Sequence, residues 1–164
     1  MTAIITIDDK PATFTIDWYV HDRTLGAMNP EAKAALLDTR GEAWHGDPDK
    51  GGDPDGLDTY HIEITRYALG GGLAVHIVNT DPDTADAATV SENIGQPAAA
   101  PMTFWECHNN RYTTSEMERA GIIEPTGIET SFGPHHTTSR LMRFTPAYHT
   151  AALEALTRHD TENR

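Results

Sequence analysis

The stretch YHIEITRYALGGGLAVHI, residues 60–77, decides how the fold is read. Two alternating runs flank three glycines. Tyr60, Ile62 and Ile64 stand on one face of the first run, and Leu73, Val75 and Ile77 on one face of the second. A period of two marks a half-buried strand, and Gly70-Gly71-Gly72 supplies the turn, so a β-hairpin is predicted. For an even-numbered and an odd-numbered apolar set to share one side, antiparallel partners must have an odd index sum, and the loop then holds an even number of residues. His61, Glu63, Thr65 and Tyr67 fall on the other face with Ala74, His76 and Val78. A phosphate-binding loop is excluded for the glycines, since no Lys-Ser/Thr and no helix follow them.

Upstream, Ala12, Phe14, Ile16, Trp18 and Val20 alternate with Thr13, Thr15, Asp17 and Tyr19, giving a strand over Ala12 to Val20. Thr2 to Ile7 is β-prone, and Asp8-Asp9-Lys10-Pro11 joins the two as an opening hairpin. Asn29-Pro30 is a cap followed by Pro at the first helical position, starting a helix over about Pro30 to Thr39. Downstream, Met102 to Cys107 reads as a strand. Thr113 and Ser115 each precede a Glu by three residues, overlapping capping boxes for a short helix ending at Gly121. Ile128 to Phe132 and Thr137 to Phe144 pair across Gly133-Pro134, and Thr145-Pro146 opens a last helix to about Arg158. The expected class is α+β: antiparallel hairpins forming a mixed or antiparallel sheet, with two or three short helices.

A chain of 164 residues fits one domain, 1–164, and buries roughly 70% of its unfolded surface without disulfides or a structural metal. Mobile loops are expected near 45–57, around GDPDKGGDPDG, and near 80–101, with a helical turn near Val90 to Ile94. Cys107 is the single cysteine, so a reducing cytoplasm is the expected compartment. No membrane span and no signal peptide are read.

Charge carries the functional expectation. The chain has 25 Asp and Glu against 12 Lys and Arg, a formal net charge of −13. Direct binding to nucleic acid is disfavoured, because that affinity comes from Lys and Arg meeting phosphates. Glu42, Asp47, Asp49, Asp53, Asp55, Asp58 and Glu63 are opposed only by Lys50, and Asp81, Asp83 and Asp86 form a second group. Carboxylates along an edge imitate closely spaced phosphates. The reading is therefore a non-enzymatic acidic inhibitor or adaptor docking on a basic protein surface, with a nucleic-acid mimic acting on a nucleic-acid-handling protein as its sharpest form. Only three lysines occur, so a GC-rich or salt-adapted composition is the competing explanation.

The rival expectation is a small metal-assisted hydrolase or ligand-binding domain using His61, Glu63, His76 and one of His135 or His136. Neither H-E-x-x-H nor paired C-x-x-C occurs, and the Asp-rich loop lacks the EF-hand spacing, so no metal or other cofactor is assigned. Cys107-His108 is adjacent in sequence, which on a strand sends the two side chains apart. Without G-x-S-x-G, a serine hydrolase is not supported, and no catalytic residue is named.

Overall fold

The computed structural model describes residues 2–18, 57–84, 86–95 and 100–164. The Pro30–Thr39 helix, the loop over 46–56, and Tyr19 and Val20 lie outside these. Among the described residues antiparallel sheet predominates, with two α-helices; the α+β expectation holds at that coarse level.

The central hairpin forms as the alternation requires. Strand β5 (Leu57–Arg66) pairs with β6 (Leu73–Asn79), with Ile62 opposite Ile77 and Ile64 opposite Val75. Arg66 faces Leu73, so the loop runs from Tyr67 to Gly72, an even number of residues. Gly70 and Gly71 carry φ of +85° and +65°, the left-handed region that glycine enters without a Cβ penalty. Tyr60, Ile62, Ile64, Leu73, Val75 and Ile77 are all buried in one core.

The N-terminal residues differ from the expected hairpin. Strand β1 (Ala3–Ile4) and strand β4 (Thr13–Asp17) both lie along the same edge of β5, Ala3 opposite Ile64 and Thr13 opposite His61. Between them the chain leaves the sheet as a small hairpin of β2 (Thr6–Ile7) and β3 (Lys10–Pro11). Its base is closed by Ala12 N donating to Ile5 O at 2.9 Å. Asp8 and Asp9 both have positive φ, as a two-residue primed turn demands. The expected alternation survives from Ala12 to Trp18: Ala12, Phe14, Ile16 and Trp18 are buried, while Thr13 and Thr15 are exposed.

The segment 80–101 contains more order than its turn formers suggested. Strand β7 (Ala87–Thr89) pairs with β6, and no helical turn forms at Val90 to Ile94. Instead Val90 and Ser91 are buried, and the chain runs beside the end of β8 (Thr103–Trp105): Cys107 N donates to Val90 O and Glu92 N to Trp105 O, both at 2.8 Å. These bonds join the first sheet to the second, ordered β8, β10 (Thr137–Phe144), β9 (Ile123–Phe132). A bulge in the β9–β10 pair falls between Arg140 and Met142.

Helix α1 (Arg111–Arg119) follows a 3₁₀ turn at His108–Asn110 and starts earlier than the capping boxes implied. Ser115 donates its hydroxyl back to the carbonyl of Arg111, and Thr113 Oγ1 is buried with no hydrogen-bond partner among the described residues, so neither caps the helix. Helix α2 (Pro146–Glu162) begins with Pro as expected and runs one turn beyond Arg158. Thr145 gives its hydroxyl to Gly121 O instead of capping α2. Ala152, Ala155 and Leu156 of α2 join the core, while His159 and Asp160 reach the end of β5. There His159 Nε2 lies 2.9 Å from Thr65 Oγ1, and Arg66 is clamped by both Asp160 oxygens at 2.8 and 2.7 Å.

Candidate functional site

The polar face of the central hairpin carries Glu63 at its middle. Strand alternation points it away from Ile62 and Ile64, and the register sets it directly opposite His76. Its two oxygens are used separately: His61 Nε2 lies 2.8 Å from Oε1, and Thr2 donates its hydroxyl to Oε2. Burial acts to raise the Glu63 pKa, but the hydrogen bonds from Thr2 and His61 and the fields of His61 and His76 outweigh it. The carboxyl is held below its usual range and stays ionised. Burial pushes His76 the other way, below its ordinary value, and Glu63 only partly opposes that shift. His76 Nδ1 is held by Thr89 Oγ1 at 3.0 Å.

A cleft of about 520 Å³ opens beside this pair. Its polar wall is formed by Glu63, His76, Thr89, Cys107, Asn109 and Asn110, and its apolar wall by Val78, Ala87 and Ala88. Four separate segments meet here: the N-terminal residue Thr2, the hairpin, β7 and the 3₁₀ turn with Cys107 before it. Asn110 fastens two of them, donating Nδ2 to Thr89 O at 2.7 Å. Its Oδ1 is buried without a hydrogen-bond partner among the described residues, in a residue only 9% exposed. Buried polar atoms without a partner are uncommon enough to need a reason.

Cys107 also lines the cleft, but it is not an activated nucleophile. Burial pushes the thiol above its ordinary value, and the negative charges of Glu92 and Glu106 add to the shift. The neighbouring His108 turns elsewhere, with Nδ1 at 3.2 Å from Glu92 Oε2 and its ring edge against Phe132.

The acidic candidates separate into three sets. Glu42, Asp47, Asp49, Asp53 and Asp55 lie outside the described residues. Asp58, Glu63 and Asp86 turn inward: Asp58 is buried and accepts from Asn79 Nδ2 at 3.2 Å, and Asp86 accepts from the buried Tyr60 hydroxyl at 2.5 Å. Asp81 and Asp83 are exposed on one turn, where Asp81 accepts from Asp83 N and Thr84 Oγ1 at 3.0 Å each. The described part of the acidic set therefore does not line one edge.

The histidine candidates are divided as well. His61 and His76 share the hairpin face with Glu63, whereas His135 and His136 are exposed in the turn between β9 and β10, in the second sheet. Among the described residues no group of three or more His, Cys, Asp or Glu is arranged to hold a metal ion. Thr2, Thr89, Asn109 and Asn110 were not singled out from sequence. They carry no spacing signature: the pairing of β1 with β5 brings Thr2 to Glu63, and the pairing of β7 with β6 and of Val90 with Cys107 brings the other three.

Compared with protein-family models, with curated proteins and with solved structures, the chain matches none of them. Among the described residues no helix is long and apolar enough to cross a membrane.

Proposed function

We propose that the protein is a small-ligand-binding domain, with the cleft beside Glu63 and His76 as its site. One observation carries this reading: polar groups from four segments converge on a concave space, and Asn110 in its wall keeps a buried Oδ1 with no hydrogen-bond partner among the described residues. A volume of about 520 Å³ falls in the range of small-molecule sites, which combine apolar walls with a few placed polar groups. No hydrolytic step is assigned: burial pushes the thiol up, and among the described residues no metal-binding group accompanies it. The test is a set of small polar molecules titrated into the labelled protein while backbone amides are followed. Shifts confined to Glu63, His76, Ala87 to Thr89 and Cys107 to Asn110 are expected. Shifts scattered over the surface, or none, would reject the site.

A second reading, an acidic protein docking on a basic and nucleic-acid-handling partner, is favoured by a different observation. Arg66, Arg111, Arg119, Arg140 and Arg143 each already face a carboxylate, and the 25 acids exceed the 12 Lys and Arg by 13, so the excess of carboxylates stays uncompensated. Such an excess of negative potential steers basic partners. An α+β class for the whole chain and a reducing cytoplasm, which suits a lone thiol, belong to the same set of proposals.

A further inference from the structure

Resting on the ligand-binding reading above, we infer that the cleft takes a small organic cation, a protonated amine on a short hydrocarbon body, and rejects carboxylates and phosphates. Among the described residues the lining holds one carboxylate and neither Lys nor Arg. An anionic ligand would set a second negative charge beside Glu63 in a partly desolvated space, where His61 is already engaged with Glu63 at 2.8 Å. A neutral alcohol would leave Glu63 facing a weak dipole.

A protonated amine reverses each of these costs. Its three N–H donors need acceptors, and the polar wall supplies the ionised Glu63 with the hydroxyl oxygens of Thr2 and Thr89 in the same lining. Hydrogen bonds to a carboxylate are the stronger kind, and the low local dielectric strengthens them further. Val78 and Ala87, paired on the face that carries His76 and Thr89, present methyl groups to the hydrocarbon part of the ligand and leave room for a few carbons. A divalent metal fits less well than an ammonium group, since no set of three ligating side chains is assembled among the described residues.

The test uses three molecules with one body: n-butylammonium, n-butanol and n-butyrate. Each is titrated into the full chain and into Glu63→Gln at fixed ionic strength, following the amides of Ala88, Thr89 and Asn110. The expected result is saturable binding of butylammonium, no saturation with butyrate, and at least a tenfold loss of butylammonium affinity in Glu63→Gln. That variant should bind butylammonium and butanol alike. Its unchanged hairpin amides, from Ile62 and Ile77, verify that it folds. Equal binding of butanol or butyrate by the wild type, or an unaltered affinity in Glu63→Gln, overturns the cation assignment while the cleft stands as a site. Silence of these amides toward all three molecules overturns the cation assignment too, and silence toward the wider set removes the ligand-binding reading with it.

Discussion

Glu63 and His76 face each other as direct antiparallel partners across β5 and β6, one held ionised and the other held neutral by the same half-buried surface. The pairing makes the electrostatics of the cleft measurable in the protein alone. An unfolded imidazole titrates near 6.5, and burial sets folded His76 lower. As pH falls below that unfolded value, the unfolded chain takes up a proton that folded His76 refuses, so stability declines until the folded value is passed. Glu63 is the group opposing the shift, and Glu63→Gln should lower the His76 midpoint further. Imidazole resonances followed against pH report both. A wild-type midpoint at or above the ordinary value, or a rise in Glu63→Gln, contradicts this account.

The register of the central hairpin predicts unequal costs on its two faces. Ile62→Asp buries an unpaired charge against Ile77 and should cost several kcal/mol, on the order of 4. Thr65→Ala, on the opposite face, loses the contact with His159 and should cost about 1 kcal/mol. Denaturation midpoints of the two variants measure the difference, and equal costs would mean that the faces are not as assigned.

Glu106 is fully buried, held by Arg140 through two hydrogen bonds of 2.7 and 2.9 Å, while Arg140 also reaches Glu118 at 2.6 Å. Arg140→Met should cost about 3 kcal/mol, because it strands a carboxylate with only Arg111, 3.9 Å away, to balance it. Adding Glu106→Leu to that variant should recover most of the loss, since the penalty belongs to the orphaned charge and not to the missing pair. Chemical denaturation of the single and double variants checks this; a double variant no more stable than the single one contradicts it.

The docking reading predicts salt-sensitive association. Poly-lysine serves as the probe, and Asp47, Asp49, Asp53, Asp55, Asp81 and Asp83 are changed together to Asn. Asp58 and Asp86 are kept because they accept internal hydrogen bonds. Association of the wild type should slow as salt rises, since screening acts beyond about 8 Å at 0.15 M, and the variant should associate more slowly with little change in dissociation. Stopped-flow rates that match between the two proteins at all salt concentrations would leave the acidity as composition only.

How much of this could be read from sequence depended on periodicity. Tyr60 to Ile77 was legible because an unbroken period of two, with opposite parity on either side of three glycines, admits one arrangement. Ala12 to Trp18 was legible for the same reason, although its partner was not: alternation gives a face and says nothing of which strand lies alongside. Strand β7 was hidden because Ala87, Ala88 and Thr89 sit among Asp, Pro and Gly, and their extended form comes from pairing with β6. The capping boxes misled because the Ser115 hydroxyl bonds equally well to the preceding turn, while Thr113 lies inside a helix that already starts at Arg111. His61, Glu63 and His76 were placed together on one face by counting. Thr89 and Asn110 join them through contacts between distant segments, which no local pattern encodes.

The most direct test of the cleft is to fill it. Ala87 is exposed, lines the cleft and lies outside the hydrophobic core, so Ala87→Phe should occupy the space without unfolding the protein. The measurement is the rise in melting temperature produced by saturating n-butylammonium in the wild type and in Ala87→Phe, at equal ionic strength. A ligand that binds only the folded state stabilises it in proportion to the logarithm of its excess over Kd. The account predicts a rise in the wild type and none in the variant, with the two proteins melting within a few degrees of each other when no ligand is present. Equal rises in both would place the binding elsewhere on the acidic surface and contradict the cleft as the site.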